Sequence, residues 1–330
     1  MNRVGVNGFG RIGRYFVRMA LQQPDFEVAL VNDLADLKTL AHLFKYDSVH
    51  GQNTLKFEIV DDSIVFENGK KITFCSHRNP EDIPWGKYNV DTVIESTGLF
   101  RTTEKASKHL VGGAKRVVIS APAVSPEVKT IVMGVNEELL TKEDVIVSNA
   151  SCTTNNIAPL FAVMRELVTI ESAFITTVHS YTSDQRLHDA PHEDLRRARG
   201  AAQSMIPTTT GAAKAITKIF PEYVGKIGGG AVRVPVPNGS LSDITMVVKE
   251  EVTAEQINEA MKAAANGRLK GILEYTEDPI VSVDILGNPI SCLYDAGLTA
   301  IVGKMIKIIG WYDNEAGYSN RLVDLVRYMG

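Results

Sequence analysis

The chain has 330 residues, 44% of them hydrophobic and 22% charged, with a formal net charge of -4. That length exceeds what one hydrophobic core sustains, so two domains are expected. The charge gives no drive toward nucleic acid or anionic membrane, and no apolar run approaches the ~20 residues of a bilayer span.

Met1-Asn2-Arg3-Val4-Gly5-Val6 enters a strand at once, without signal-peptide character, which predicts a cytoplasmic protein. The first half alternates Val/Ile-rich runs with helical segments. Arg3–Asn7, Glu27–Asn32, Asp91–Glu95, Arg116–Ser120 and Val145–Ser148 read as strands of a parallel sheet with crossover connections. Gly8-x-Gly10-x-x-Gly13 follows the first of them and opens a helix, Arg11 to Gln22. Glycines there permit a tight turn and close backbone approach, and the helix start offers N–H groups to a pyrophosphate. Asp33, twenty residues after Gly13, ends the second strand, where a carboxylate binds ribose hydroxyls and repels a 2′-phosphate. NAD is therefore expected over NADP. Leu55–Val60 and Ile64–Phe66, with the Asn68-Gly69 turn, read as antiparallel hairpins inserted in this sheet.

The second half changes pattern near Ser148–Ser151. Glu171–Tyr181, Ala231–Val236, Asp243–Glu251 and Met305–Tyr312 are longer strands without a helix between each pair, which predicts a mostly antiparallel sheet with helices on one face. Ala254–Asn266 reads as a helix capped by Thr253 and ended by Gly267, and Glu315–Met329 as a last helix. The fold class is thus α/β: a Rossmann-type dinucleotide-binding domain plus an α+β catalytic domain. The expected boundaries are 1–150, joined by a returning helix at 315–330, and 151–314.

Three cysteines, Cys75, Cys152 and Cys292, are odd in number and show no C-x-x-C pairing. This argues for a reducing compartment and against disulfides or zinc. Cys152 lies between a strand and an apolar-periodic helix, Ile157 to Leu167, where a helix N-terminus stabilises a thiolate. Ser151 and Thr153 flank it, small and hydroxylated, and supply donors. Pro159 threatens a kink. His179, at a strand end, is a candidate base for Cys152. On spacing alone, a buried filler cysteine is as open as a nucleophile, and a histidine like His179 is more often structural than catalytic. His188 and His192 stand four apart, but Pro191 between them argues against a metal site.

The motifs together carry more. Ala150-Ser151-Cys152-Thr153-Thr154-Asn155, His179–Arg186, Pro207–Ala215, Arg233-Val234-Pro235-Val236-Pro237 and Trp311-Tyr312-Asp313-Asn314-Glu315 resemble, in order, those of phosphorylating glyceraldehyde-3-phosphate dehydrogenases. Two positions depart from many members: Asn156 stands where a second cysteine is frequent, and Ala316 where a tryptophan is.

The resemblance implies a cysteine nucleophile at Cys152, a base at His179, and D-glyceraldehyde 3-phosphate, inorganic phosphate and NAD as reactants. It implies Thr182 and Arg233 for the substrate phosphate, and Ser151, Thr210, Gly211 and Arg197 for the attacking phosphate. Planar guanidinium forks suit both sites. Locally, Arg196, Arg197 and Arg199 also read as a charged loop paired with Asp189, Glu193 and Asp194. Arg11, Ile12, Arg78, Ser120 and Asn314 match cofactor-contacting positions, with Asn314 on the nicotinamide amide. The resemblance further implies a homotetramer, without specific nucleic-acid or membrane partners. Two rivals stay open: an erythrose-4-phosphate dehydrogenase, which Thr208–Gly211 and Val234–Pro237 fit less well, and a non-catalytic RNA- or surface-partner-binding role.

Overall fold

The computed structural model describes residues 1–330 and resolves into two compact units. One comprises Met1–Ile131, Glu137–Ala150 and Ser319–Gly330; the other comprises Val132–Asn136 and Ser151–Tyr318.

The first unit is built on a nine-stranded sheet. Its strands are β1 (Asn2–Asn7), β2 (Phe26–Asn32), β3 (Phe57–Val60), β4 (Ser63–Phe66), β5 (Lys71–Cys75), β6 (Thr92–Glu95), β7 (Arg116–Ile119), β8 (Lys129–Thr130) and β9 (Ile146–Ser148). They lie in the order β8-β9-β7-β6-β1-β2-β5-β4-β3. All ladders from β8 through β5 are parallel, while β5-β4-β3 is an antiparallel meander on one edge. Asn68-Gly69 makes one of its turns, with Gly69 at φ +81°. Val4, Val6, Leu30, Val31, Ile94 and Val118 are fully buried. A parallel sheet buried on both faces needs such unbroken apolar runs.

Helix α1 (Arg11–Gln22) buries Phe16, Val17, Ala20 and Leu21, one face at helical spacing. Behind the glycine turn, Trp85 Nε1 donates to His109 Nδ1 at 3.1 Å, and His109 Nε2 donates to Glu95 at 3.0 Å. An indole N–H only donates, so His109 carries its proton on Nε2. Trp85, fully buried in the core, thus also fixes that tautomer. The Cys75 thiol donates to Asn32 Oδ1 at 3.4 Å, and burial pushes it up to about 12. It has the environment of an inert thiol.

The second unit begins with helix α2 (Cys152–Leu167) and is built on an eight-stranded sheet. Strands β10 (Ile170–Ser180), β11 (Ile206–Thr208), β12 (Ile227–Val234), β13 (Ser240–Val248), β14 (Leu273–Thr276), β15 (Cys292–Asp295) and β17 (Met305–Tyr312) run in the order β11-β12-β10-β13-β17-β15-β14, and β16 (Ala300–Val302) pairs with β17. The sheet is mostly antiparallel, with two parallel ladders, β10–β12 and β14–β15. The β10–β12 ladder sets His179 beside Arg233 in register.

Ile175, Ile244 and Ile308 are fully buried on the face covered by helices α2, α3 (Ala212–Ile219) and α4 (Ala254–Asn266). Helix α4 carries the expected Thr253 cap as a full capping box, with Gln256 Oε1 accepting from Thr253 N at 2.8 Å. The last helix, α5 (Ala316–Met329), is capped by Asp313, whose Oδ1 accepts from Ala316 N at 2.8 Å.

Candidate active site

In the first unit the chain turns at Gly8, where φ is +94° and a Cβ would stand 2.9 Å from Thr97. At Gly13 a Cβ would stand 2.1 Å from Gly8 O, so only glycine lets α1 ride against the turn. Gly10 differs: a Cβ there would meet nothing within 4 Å, and no side chain caps the helix. The open space and uncapped helix start together fit a dinucleotide pyrophosphate. Asp33 is anchored against this turn, its Oδ2 accepting from Phe9 N at 2.7 Å and its Oδ1 from Ala35 N at 3.0 Å. Arg11 pairs with Asp47 at 2.7 Å, Ser120 N donates to Glu95 O at 2.9 Å, and Arg78 is exposed. Ile12 sits in the first turn of α1.

We expect Asp33→Ala to raise the NADP:NAD ratio of kcat/KM by on the order of 1–3 kcal/mol of discrimination, the range for charge-assisted hydrogen bonds. Steady-state kinetics with both cofactors measures it, and an unmoved ratio removes Asp33 from the ribose role.

The reactive thiol is placed by a sharp local turn. Ala150, fully buried, holds φ +57°, and Ser151 then caps α2, its Oγ accepting from Thr154 N at 3.1 Å. Cys152 is thus the first helical residue, facing the positive end of the helix. The helix starts at Cys152, at the place expected, ahead of the apolar-periodic stretch that opens at Ile157. It also runs unbroken through Pro159, although the ring removes the bond to the Asn155 carbonyl. Burial on nearly every face of α2 outweighs that loss. Asn156, one turn on from Cys152, donates from Nδ2 to Trp311 O at 3.2 Å. Cys292 is fully buried, and burial pushes its thiol up.

His179 Nε2 lies 3.5 Å from Cys152 Sγ. On the far side of the ring, Nδ1 lies 2.7 Å from Ser180 O and 2.6 Å from Arg233 Nη1, which also donates to Ser180 O at 2.9 Å. The Tyr312 ring packs edge-on against the imidazole at 6.0 Å, and its hydroxyl hydrogen-bonds Thr153 Oγ1 at 2.9 Å. Burial, reinforced by Arg233, pushes His179 down to about 3. Burial also pushes the Cys152 thiol up, against the opposing effects of Arg233 and Thr153. Burial thus opposes charge on both members of the couple, while the helix start, Arg233 and Thr153 favour it on the thiol.

This has a consequence for stability. Between about 3 and 6.5, the unfolded chain takes up a proton at His179 that the folded chain refuses, so stability is full above 6.5 and falls with pH below it. The slope is about 1.4 kcal/mol per pH unit. In urea titrations at pH 7 and pH 5, His179→Asn is expected to lose roughly 2 kcal/mol less than the wild type. Equal losses would show that the imidazole is not held neutral.

Of the anion-binding candidates, Arg233 touches the imidazole and Arg197 acts on it electrostatically. Asp184 Oδ1 accepts from Thr182 Oγ1, and its Oδ2 accepts from Arg197 Nη1 at 2.8 Å. Burial opposes ionisation of Asp184, but the Thr182 hydroxyl, Arg233 and Arg197 outweigh it and hold the carboxyl below its usual range. Arg197 Nε donates to Thr208 Oγ1 at 2.9 Å, beside Thr210 and Gly211 at the start of α3. Thr210 Oγ1 accepts from Ala212 N at 3.2 Å, and a Cβ on Gly211 would meet nothing within 4 Å. Arg199 pairs locally with Asp189 at 2.8 Å, and Arg197 keeps a longer local contact with Asp194 at 3.8 Å while it also reaches Asp184 and Thr208. Asn314 Oδ1 accepts from Ser180 Oγ and Ser240 Oγ, both at 2.8 Å, which fixes which end of its amide is the donor.

Sequence reasoning did not single out Tyr312, Asp184, Ser180 or Ser240. The first three lie inside quoted motifs or beside His179, but they meet partners distant in the chain: Thr153 for Tyr312, Arg197 for Asp184 and Asn314 for Ser180.

A dinucleotide-type sheet in one unit and, in the other, a half-buried thiol against a buried imidazole that Arg233 contacts define a dehydrogenase of the covalent, cysteine-dependent class. The family models agree: "Glyceraldehyde 3-phosphate dehydrogenase, NAD binding domain" matches residues 2–103, and "Glyceraldehyde 3-phosphate dehydrogenase, C-terminal domain" matches 151–314. The chain is 54% identical over 329 residues to glyceraldehyde-3-phosphate dehydrogenase of Geobacillus stearothermophilus, covering 99% of this chain and 98% of that one. It is 52% identical over 330 residues to glyceraldehyde-3-phosphate dehydrogenase 1 of Bacillus subtilis, covering 99% and 98%. The chain belongs to the glyceraldehyde-3-phosphate dehydrogenase family, and it is an NAD-dependent oxidoreductase.

Proposed function

We propose that the chain oxidises D-glyceraldehyde 3-phosphate to 1,3-bisphosphoglycerate with NAD and inorganic phosphate. The observation that carries this is the 3.5 Å approach of Cys152 Sγ to His179 Nε2 with Arg233 at the same imidazole. As Cys152 sulfur adds to the aldehyde carbon its proton passes to His179 Nε2, and the Cys152 N–H and the protonated ring donate to the developing oxyanion, which keeps that proton as the hemithioacetal hydroxyl. His179 Nε2 then takes the hemithioacetal hydroxyl proton as the C–H electron pair leaves. NAD, when bound, supplies the hydride acceptor. Gly8, Gly10, Arg11, Ile12, Gly13, Asp33, Arg78 and Ser120 hold its dinucleotide, and Asn314 its carboxamide. The resulting thioester has no further electrons to give and is cleaved by phosphate. Thr182 and Arg233 hold the substrate phosphate, and Ser151, Thr153, Thr210, Gly211 and Arg197 serve the attacking one.

The test is NADH absorbance with the aldehyde and NAD, with and without phosphate, and with erythrose 4-phosphate in parallel. Phosphate-dependent turnover favouring the three-carbon aldehyde is expected; a preference for the four-carbon one overturns the substrate assignment.

A homotetramer in a reducing cytoplasm completes this reading. Phe174 (56%), Val247 (37%) and Met305 (44%) stay exposed on the sheet face that carries no helix. An apolar sheet face of this kind suits a second copy of the chain. Sedimentation at micromolar protein is expected to give four chains, and a monomer overturns it.

A further inference from the structure

The first turn of a helix favours negative charge, because that end of its dipole is positive. Helix α1 instead opens on Arg11 and has no acidic residue in that turn. The compensating carboxylate comes from elsewhere in the unit: Asp47 Oδ2 accepts from Arg11 Nη1 at 2.7 Å, with the Asp47 side chain only 6% exposed. Asp47 is itself immobilised. It lies in a short hairpin, Tyr46–Asp47 paired with Gly51–Gln52, and its Oδ1 accepts from Val49 N at 2.8 Å and His50 N at 3.0 Å. Burial opposes its ionisation, but those two N–H groups and Arg11 outweigh it and hold the carboxyl below its usual range. The same hairpin is fastened to α1 at the next two turns. His50 packs on the Tyr15 ring with centroids 4.4 Å apart, and Arg18 Nη2 donates to Phe44 O at 2.9 Å and Gly51 O at 3.4 Å. Arg11, Tyr15 and Arg18 stand at i, i+4 and i+7, on one helix face. The Arg11 guanidinium is thus the first rung of a clasp along that face.

We propose that Asp47 is a positioning residue that withholds the Arg11 guanidinium from the cofactor's pyrophosphate. The pair neutralises itself, so the pyrophosphate meets the main-chain N–H groups of the α1 start without an added cation. Pyrophosphate is common to NAD and NADH, and one must replace the other at every turnover. A guanidinium on it would slow the release of both, and Asp47 keeps that exchange fast. The inference rests on the reading of the α1 start as the pyrophosphate site.

Fluorescence titration of the full-length protein with NAD tests it in Asp47→Asn, Arg11→Met and the double variant. Asparagine keeps the oxygen that accepts from Val49 and His50 and removes the charge; methionine keeps the main-chain N–H of residue 11. Asp47→Ser, which retains a turn-forming oxygen, is carried in parallel. Removing the carboxylate is expected to tighten NAD about tenfold, the scale of one charge-assisted hydrogen bond. Affinity should then fall more steeply with added KCl, and NADH should leave more slowly in stopped flow. Adding Arg11→Met should cancel all three changes. Unchanged or weaker NAD binding without the carboxylate overturns the inference, since Asp47 then aims the guanidinium at the phosphates. Tightening that survives in the double variant overturns it as well. ADP-ribose and adenosine, each competed against NAD, separate the two layers. If ADP-ribose binds no more tightly than adenosine, the pyrophosphate reading fails and the inference with it. If ADP-ribose gains over adenosine and Asp47→Asn does not enlarge that gain, the withholding alone is overturned.

Discussion

Cys152→Ser is expected to turn over at less than about one-thousandth of the wild-type rate, with NAD affinity and circular dichroism unchanged, because a hydroxyl in the same place is a far poorer nucleophile near neutral pH. The side chain differs by one atom, and Ser151 still caps the helix, so neither fold nor cofactor site is disturbed. The strength of the prediction comes from the absence of a second nucleophile: Asn156 is bonded to Trp311 O, and Cys292 is sealed in the core. Turnover above a few per cent of wild type removes Cys152 from the role.

His179→Asn is expected to lower kcat/KM by roughly 10²–10⁴-fold, the span of general acid–base catalysis. Slow acylation of the thiol should persist, since Cys152 and the helix N-terminus remain. The pH dependence distinguishes the base from a spacer. With the imidazole pushed down to about 3, the wild-type kcat/KM should show no acid limb near 6.5. The variant's rate should instead climb with pH as the thiol ionises directly, and burial pushes that ionisation up. A wild-type limb near 6.5 that vanishes in the variant contradicts a neutral imidazole, and unchanged thiol reactivity contradicts the pairing itself.

Much of this architecture is legible locally. Helix Arg11–Gln22 and helix Ala254–Asn266 fall on their expected bounds, because a glycine turn and a Thr-x-x-Gln capping box mark their starts. What is not legible is pairing. Nothing in Ile227–Val234 announces that it lies parallel to Ile170–Ser180, yet that ladder alone brings Arg233 to His179. The continuity of the Cys152 helix is obscured by Pro159, whose penalty is intrinsic, whereas the burial that overrides it is tertiary. Arg197 reads as one of three like arginines in a charged loop, and only the fold selects it for Asp184 and Thr208 while leaving Arg199 to Asp189. Spacing likewise reports the helix dipole behind Cys152 but not the desolvation that opposes it.

The left-handed step at Ala150 bears on how freely this enzyme can evolve. A fully buried position at φ +57° admits almost nothing larger than a methyl group, and β-branched side chains are excluded twice, by backbone and by space. Selection therefore has almost no room to re-aim the nucleophile from its N-terminal side. New substrate ranges are expected to come from the Thr182–Gly211 stretch, whose half-buried Thr182, Arg197 and Thr210 are the proposed anion contacts and can be exchanged without moving Cys152.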